Sequence, residues 1–144
     1  MAITSAVCNS FKVEVLQGIH NFTASSGDTF NLALYTSSAS LNKSTPAYTT
    51  SNEVASSGGY TAKGKALTSV TPALSTDTAC CDFADVSWTS ASFTANGCLI
   101  FNDSASGDQS VCAIAFGGDK TVSSGTFTIQ FPTADASNAI LRIA

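Results

Sequence analysis

The chain has 144 residues, a net charge of −4 and only 11% charged side chains, against about 25% in an average soluble domain. Its length suits one domain, 1–144, able to bury roughly two-thirds of its unfolded surface without a metal or disulfide staple. The six basic residues, Lys12, Lys43, Lys63, Lys65, Lys120 and Arg142, are scattered. Only Lys63 and Lys65 are close, which excludes nucleic acid as a partner, because phosphates are neutralised by several cations on one face. Ser, Thr, Ala, Gly and Asn take the place of the missing charges. Like-charge repulsion keeps free monomers apart, so such a surface suits a protein that ends up packed in an assembly.

The N-terminal stretch 1–10 has no basic n-region and no apolar core, so no secretion signal is expected there. No apolar run nears the roughly 20 residues that span a bilayer, so no membrane partner is expected. From Ser10 to Phe22, the residues Phe11, Val15, Leu16 and Ile19 share a helical stripe, with Asn9 or Ser10 as N-cap and an end near Gly18. A strand is the rival, since Phe11, Val13 and Val15 alternate; a short helix is favoured.

Strand patterning follows. Thr29–Thr36 alternates Phe30, Leu32 and Leu34 against Thr29, Asn31 and Ala33, the mark of a half-buried strand. Ser37–Gly59 is rich in Ser, Thr, Asn and Gly, with Pro46 inside, and shows no clear period; its length marks a long surface excursion, of a kind usually functional or partly mobile. Tyr60–Val70 reads as a strand, and Pro72–Thr78 as a turn. Cys81–Trp88 and Ser92–Asn102 read as strands, and Asn102–Gln109 as a polar turn. Val111–Phe116 has the length of a core strand, broken by Gly117-Gly118-Asp119 as a hairpin turn. Thr126–Phe131 alternates again, with Phe127, Ile129 and Phe131 expected to face the core, and Pro132 ends it. Ala139–Ile143 is a last edge segment. Seven or so short strands between Gly, Ser, Asn and Pro turns predict an all-β sandwich or barrel.

Residues able to do chemistry are few. His20 is the single imidazole, and no cysteine sits in a nucleophile context beside it; a histidine that closes a helix end or bonds a backbone carbonyl explains it more simply. Asp82 and Asp85 fall on opposite faces of a strand, wrong for an acid–base pair. Asp103 and Asp108 faintly resemble a calcium loop but lack its terminal Glu, and turn chemistry accounts for them. Gly117-Gly118-Asp119-Lys120 lacks the spacing of a phosphate loop. The five cysteines, Cys8, Cys80, Cys81, Cys98 and Cys112, are odd in number and include a vicinal pair, so no disulfide framework is expected. Cys98 and Cys112 lie in apolar runs and are expected to be free, buried thiols in a chain folded in a reducing cytoplasm. Trp88 is expected as a core anchor. The residues thus name no catalytic, metal or cofactor site, and point to a protein that is not an enzyme.

Four stretches together carry a likeness: Leu16-Gln-Gly-Ile-His-Asn-Phe, Asp28-Thr-Phe-Asn-Leu-Ala-Leu-Tyr-Thr-Ser-Ser-Ala, Phe83-Ala-Asp-Val-Ser-Trp-Thr-Ser-Ala-Ser-Phe-Thr-Ala-Asn-Gly and Ile129-Gln-Phe-Pro-Thr-Ala-Asp-Ala-Ser-Asn-Ala-Ile-Leu-Arg-Ile-Ala. They resemble the head decoration, or cement, proteins of tailed bacteriophages. The resemblance implies a jelly-roll-like β-sandwich that forms homo-oligomers, dimer or trimer, on the outer capsid surface of the virion and clamps neighbouring major capsid protein subunits. The cysteines, Cys80-Cys81 above all, depart from that pattern. A tail or fibre component, or a carbohydrate-binding β-sandwich module, are the alternatives. Partner contacts are expected at Ser37–Gly59 and at the terminal segments 1–10 and 132–144.

Overall fold

Alternation with period two dominates the sequence, and the backbone answers it with two antiparallel sheets and one short helix in a computed structural model that describes residues 2–144. The elements are β1 (Ala6–Val7), α1 (Asn9–Leu16), β2 (Phe30–Tyr35), β3 (Lys65–Ala66), β4 (Ser69–Ser75), β5 (Thr78–Phe83), β6 (Val86–Asn102), β7 (Ser110–Ile129) and β8 (Leu141–Ile143). The larger sheet runs β1-β7-β6-β2-β3 and the smaller β4-β5-β8. The long β6–β7 hairpin is the spine, with β2 on one side of it and β1 on the other.

Side chains of a strand point alternately to its two faces. Phe30, Leu32 and Leu34 of β2, Cys98 and Ile100 of β6 and Cys112 of β7 therefore meet Cys81 and Phe83 of the smaller sheet, closed at one end by Phe11 of α1. Trp88, 1% exposed, anchors the same core, as its sequence context suggested. The opposite face is buried too. Ala33, Tyr35, Leu99, Phe101 and Ala113 are covered by Ile3, Ala39, Leu41 and Tyr48. The expected half-burial of Thr29–Thr36 is thus corrected: β2 is covered on both sides.

That cover comes from Ser37–Gly59, which forms no strand yet is no free loop. Leu41 N donates to Ala2 O at 3.2 Å, and Thr4 N to Leu41 O at 2.8 Å. Thr36 N donates to Asn52 O, and Val54 N to Leu34 O. Ala39, Leu41 and Val54 are buried, while Ser37, Ser38, Lys43, Ser44 and Ala55–Gly59 face outward.

Other expectations shift in detail. The helix forms and ends before Gly18, but its N-cap is Cys8, with no side-chain cap bond, in place of Asn9 or Ser10. Of its apolar stripe, Phe11 is buried and Leu16 is 89% exposed. The expected strand Tyr60–Val70 shrinks to β3 and the start of β4. The expected turn Pro72–Thr78 is largely strand, since β4 runs through Pro72. A proline is tolerated there because β4 is an edge, where a missing N–H leaves no ladder bond unmade, and the register slips between Val70 and Ala73. Cys81–Trp88 is two strands in different sheets, broken at Ala84-Asp85. Gly117-Gly118-Asp119 is not a hairpin turn. It lies inside β7, where Ala95 pairs with Lys120 but Gly97 with Ala115, so the intervening residues of β7 bulge out. The positive φ of Gly117 (78°) and Gly118 (148°) serves this bulge.

Candidate functional site

The chemistry-bearing residues are drawn into structural roles. His20 is buried between α1 and the hairpin. Its Nε2 lies 3.2 Å from Glu14 Oε2 and its Nδ1 3.2 Å from Asn102 Nδ2, so both ring nitrogens are engaged. Asn102 also donates to Asp28 Oδ2 at 2.8 Å, and the rings of Phe11, Phe22 and Phe30 surround the imidazole. This network ties α1 and the segment after it to the end of β6. The nearby Cys8 thiol is pushed up to about 11, by burial first and then by the Glu14 carboxylate. A thiol held protonated is a poor nucleophile.

All five cysteines are free and buried, which agrees with the reading of Cys98 and Cys112. Burial raises Cys98 to about 12 and Cys112 well above the usual thiol range. Cys81 is also raised to about 12, by burial and then by Asp82. Among the described residues no three His, Cys, Asp or Glu side chains converge to hold a metal.

Asp103 and Asp108 do bind a cation, but it is a side chain. Lys63 Nζ lies 3.0 Å from Asp103 Oδ1 and 2.9 Å from Asp108 Oδ2, above the rings of Tyr48 and Phe101. The two carboxylates raise the lysine above its ordinary range. The backbone N–H of Lys63 donates to Glu53 Oε1 at 2.7 Å. Glu53 also accepts from the hydroxyls of Tyr48 and Tyr60. Sequence patterning missed this cluster, since Tyr48 and Glu53 fall in the excursion without a period and Tyr60 and Lys63 in a stretch read as a strand. Asp85 caps the hairpin, accepting from Phe131 N at 2.9 Å.

What remains unengaged is apolar surface. Phe127, Ile129 and Phe131 pack against the core as expected, but each is only half-buried. With Phe116 and Ile140 they line an open groove of about 500 Å³. A second groove, of about 390 Å³, opens between α1 and the smaller sheet. Phe11, Val15 and Leu16 form one wall, and Cys81, Leu141 and Ile143 the other, which gives the Cys80-Cys81 pair its place at the groove. Leu74, Ala79 and Ile143 stand opposite one another across β4, β5 and β8 and so share one face. Leu16, Leu74 and Ile143 are 89%, 74% and 66% exposed. Among the described residues no helix is long and apolar enough to cross a membrane.

Compared with the known protein families, the curated proteins and the solved structures, the chain matches none.

Proposed function

We propose that the chain is a structural virion protein, a head decoration or cement protein of a tailed bacteriophage. On this reading it is made in the host cytoplasm and binds the outer capsid surface. There it clamps neighbouring major capsid protein subunits as a homo-oligomer, a dimer or trimer, and does no catalysis. Its two sheets then form a jelly-roll-like β-sandwich. The observation that carries the reading is a set of exposed apolar side chains, Leu16 and Ile143 lining an open groove and Leu74 on the same sheet face as Ile143, on a chain with so little charge. Large apolar side chains grouped at the surface mark a contact with another protein. The strand-by-strand resemblance supports the same role. Modest contacts repeated on one oligomer hold a shell firmly, because each later contact is effectively intramolecular. The carbohydrate-module alternative loses its best platform, since Trp88 is buried.

Copy number tests the proposal. Purified particles of the encoding phage should carry the protein in numbers comparable to the major capsid protein. Shells stripped of it should take it up again on their outer surface. A few copies per particle would instead mean a tail or fibre component.

A further inference from the structure

Resting on the capsid-binding reading, the geometry points to the groove between α1 and β8 as the docking site of an extended partner segment, one that alternates apolar side chains with carboxylates and adds along the free edge of β8.

The edge is the first argument. β8 pairs with β5 through Leu141, Arg142 and Ile143 and closes the smaller sheet. Among the described residues no other backbone hydrogen bond reaches Leu141–Ile143. A row of unpaired N–H and C=O groups is a template for another strand, and main-chain bonds then supply affinity while pockets select side chains. The groove beside the edge supplies the pocket. Its walls, Phe11, Val15, Leu16, Cys81, Leu141 and Ile143, are apolar.

Charge names the partner. Lys12 of α1 and Arg142 of β8 border the groove, and no Asp or Glu lines it. Two of the six cations of a chain with net charge −4 thus flank β8 and its groove, Lys12 across the groove and Arg142 on the strand itself, where it alternates with Leu141 and Ile143. Neither forms an ion pair among the described residues. Lys12 Nζ reaches only Asn9 Oδ1 at 3.4 Å, and Arg142 Nη1 only Ala136 O at 3.0 Å. One acid, Asp135, feels Arg142. Its carboxyl is lowered first by hydrogen bonds from Asn138 and Ser137, and Arg142 adds least. A symmetric contact with a second copy would set Lys12 and Arg142 near their own counterparts, and like charges across an interface repel. An acidic, apolar strand of another protein satisfies the edge, the pocket and the cations together.

The test uses the full chain and two short capped peptides. One alternates Leu, Ile and Val with Glu and Asp; the other carries Lys at every acidic position. The acidic peptide should bind in a fluorescence-anisotropy titration and slow amide exchange at Leu141–Ile143. The K12E/R142E double variant, altered only at exposed positions, should weaken that binding by about tenfold and favour the Lys peptide instead. Equal binding of both peptides, binding of neither, or occupation of the groove by a second copy, read as protection of amide exchange at Leu141–Ile143 that grows with protein concentration alone, would overturn the inference. Stripped shells of the encoding phage separate this result from the proposed function. If the wild type attaches and K12E/R142E does not, the groove is the docking site. If both attach equally, the groove is idle and this inference falls while the capsid role stands. If the wild type fails to attach, the capsid role falls, and the peptides alone decide the chemistry of the groove.

Discussion

The Tyr60 hydroxyl donates to Glu53 Oε1 at 2.7 Å while it accepts the Leu34 N–H at 2.9 Å. β3 pairs with β2 only at Asn31 and Leu32, so the Leu34 amide lies beyond the reach of that ladder. The tyrosine stands in for the missing strand and donates its own hydroxyl hydrogen bond to Glu53. Burial and the bond to Glu53 hold the phenol protonated well above its usual range.

Tyr60→Phe should therefore cost about 1–3 kcal/mol, since it strands a buried amide and removes one donor from Glu53. Urea unfolding measures the loss. A change below about 0.5 kcal/mol, the size of a neutral surface substitution, would show that the Leu34 amide finds another partner.

Gly64 sits at φ +66°, and a Cβ added there would lie 1.8 Å from the Leu32 carbonyl oxygen. Both the backbone conformation and the close approach demand glycine. Gly64→Ala should destabilise by about 4 kcal/mol or more, in the range reserved for severe backbone conflicts. It should also loosen Lys63, the neighbour that reaches Asp103 and Asp108. A soluble variant with unchanged thermal midpoint would contradict the close packing of this turn against β2.

Alkaline pH should unfold the protein through its thiols. Cys8 is raised from 9.0 to about 11, and Cys81 and Cys98 to about 12, with burial as the main cause in each. Each is harder to ionise folded than unfolded. The stability it contributes is whole below pH 9.0 and is lost as pH climbs toward these raised values. A single thiol changes the unfolding free energy by about 1.4 kcal/mol per pH unit inside that window. Denaturant titrations under reducing conditions on both sides of pH 9 should show the decline, and Cys98→Ala should flatten it. A stability that does not change above pH 9 would rule the thiols out.

Trp88 and Phe127 pack ring edge against ring face, with centroids 6.1 Å apart, but they differ in burial. Trp88→Ala should cost the full amount for a buried aromatic, about 3–5 kcal/mol. Phe127 borders the open groove and is half-buried, so Phe127→Ala should cost clearly less. Equal losses in thermal and chemical unfolding would mean that the groove closes over Phe127 in solution.

The strands were legible wherever one residue in two is apolar, as in Phe30, Leu32 and Leu34. The helix was legible from the spacing of Phe11 and Val15. Boundaries failed where a local signal serves two outcomes. Gly117-Gly118 supplies positive φ equally to a turn and to a bulge, and only the partner strand decides. Pro72 stops a central strand but not an edge strand, and sequence does not say which strand is an edge. The Lys63 bridge was invisible because its partners, Tyr48, Glu53, Asp103 and Asp108, come together only when the excursion folds back over the sheet. The groove was half-visible: Ile140, Leu141 and Ile143 read as an edge, but nothing in the helix stripe told that Leu16 would be left outside.

The β6–β7 hairpin also dictates an order of events during synthesis. β1 pairs with β7, and β2 with β6, so both early strands emerge from the ribosome long before the strands that will hold them. Until β6, residues 86–102, emerges, Phe30, Leu32 and Leu34 have no ladder to join on that side, and the nascent chain must carry them exposed. Chains emerging side by side on one message would meet in that state, and growing strands that wait for partners are prone to pair with each other. The sparse charge that suits the finished surface also leaves the waiting chain little electrostatic protection, so the yield of soluble protein should depend on how quickly translation reaches the hairpin.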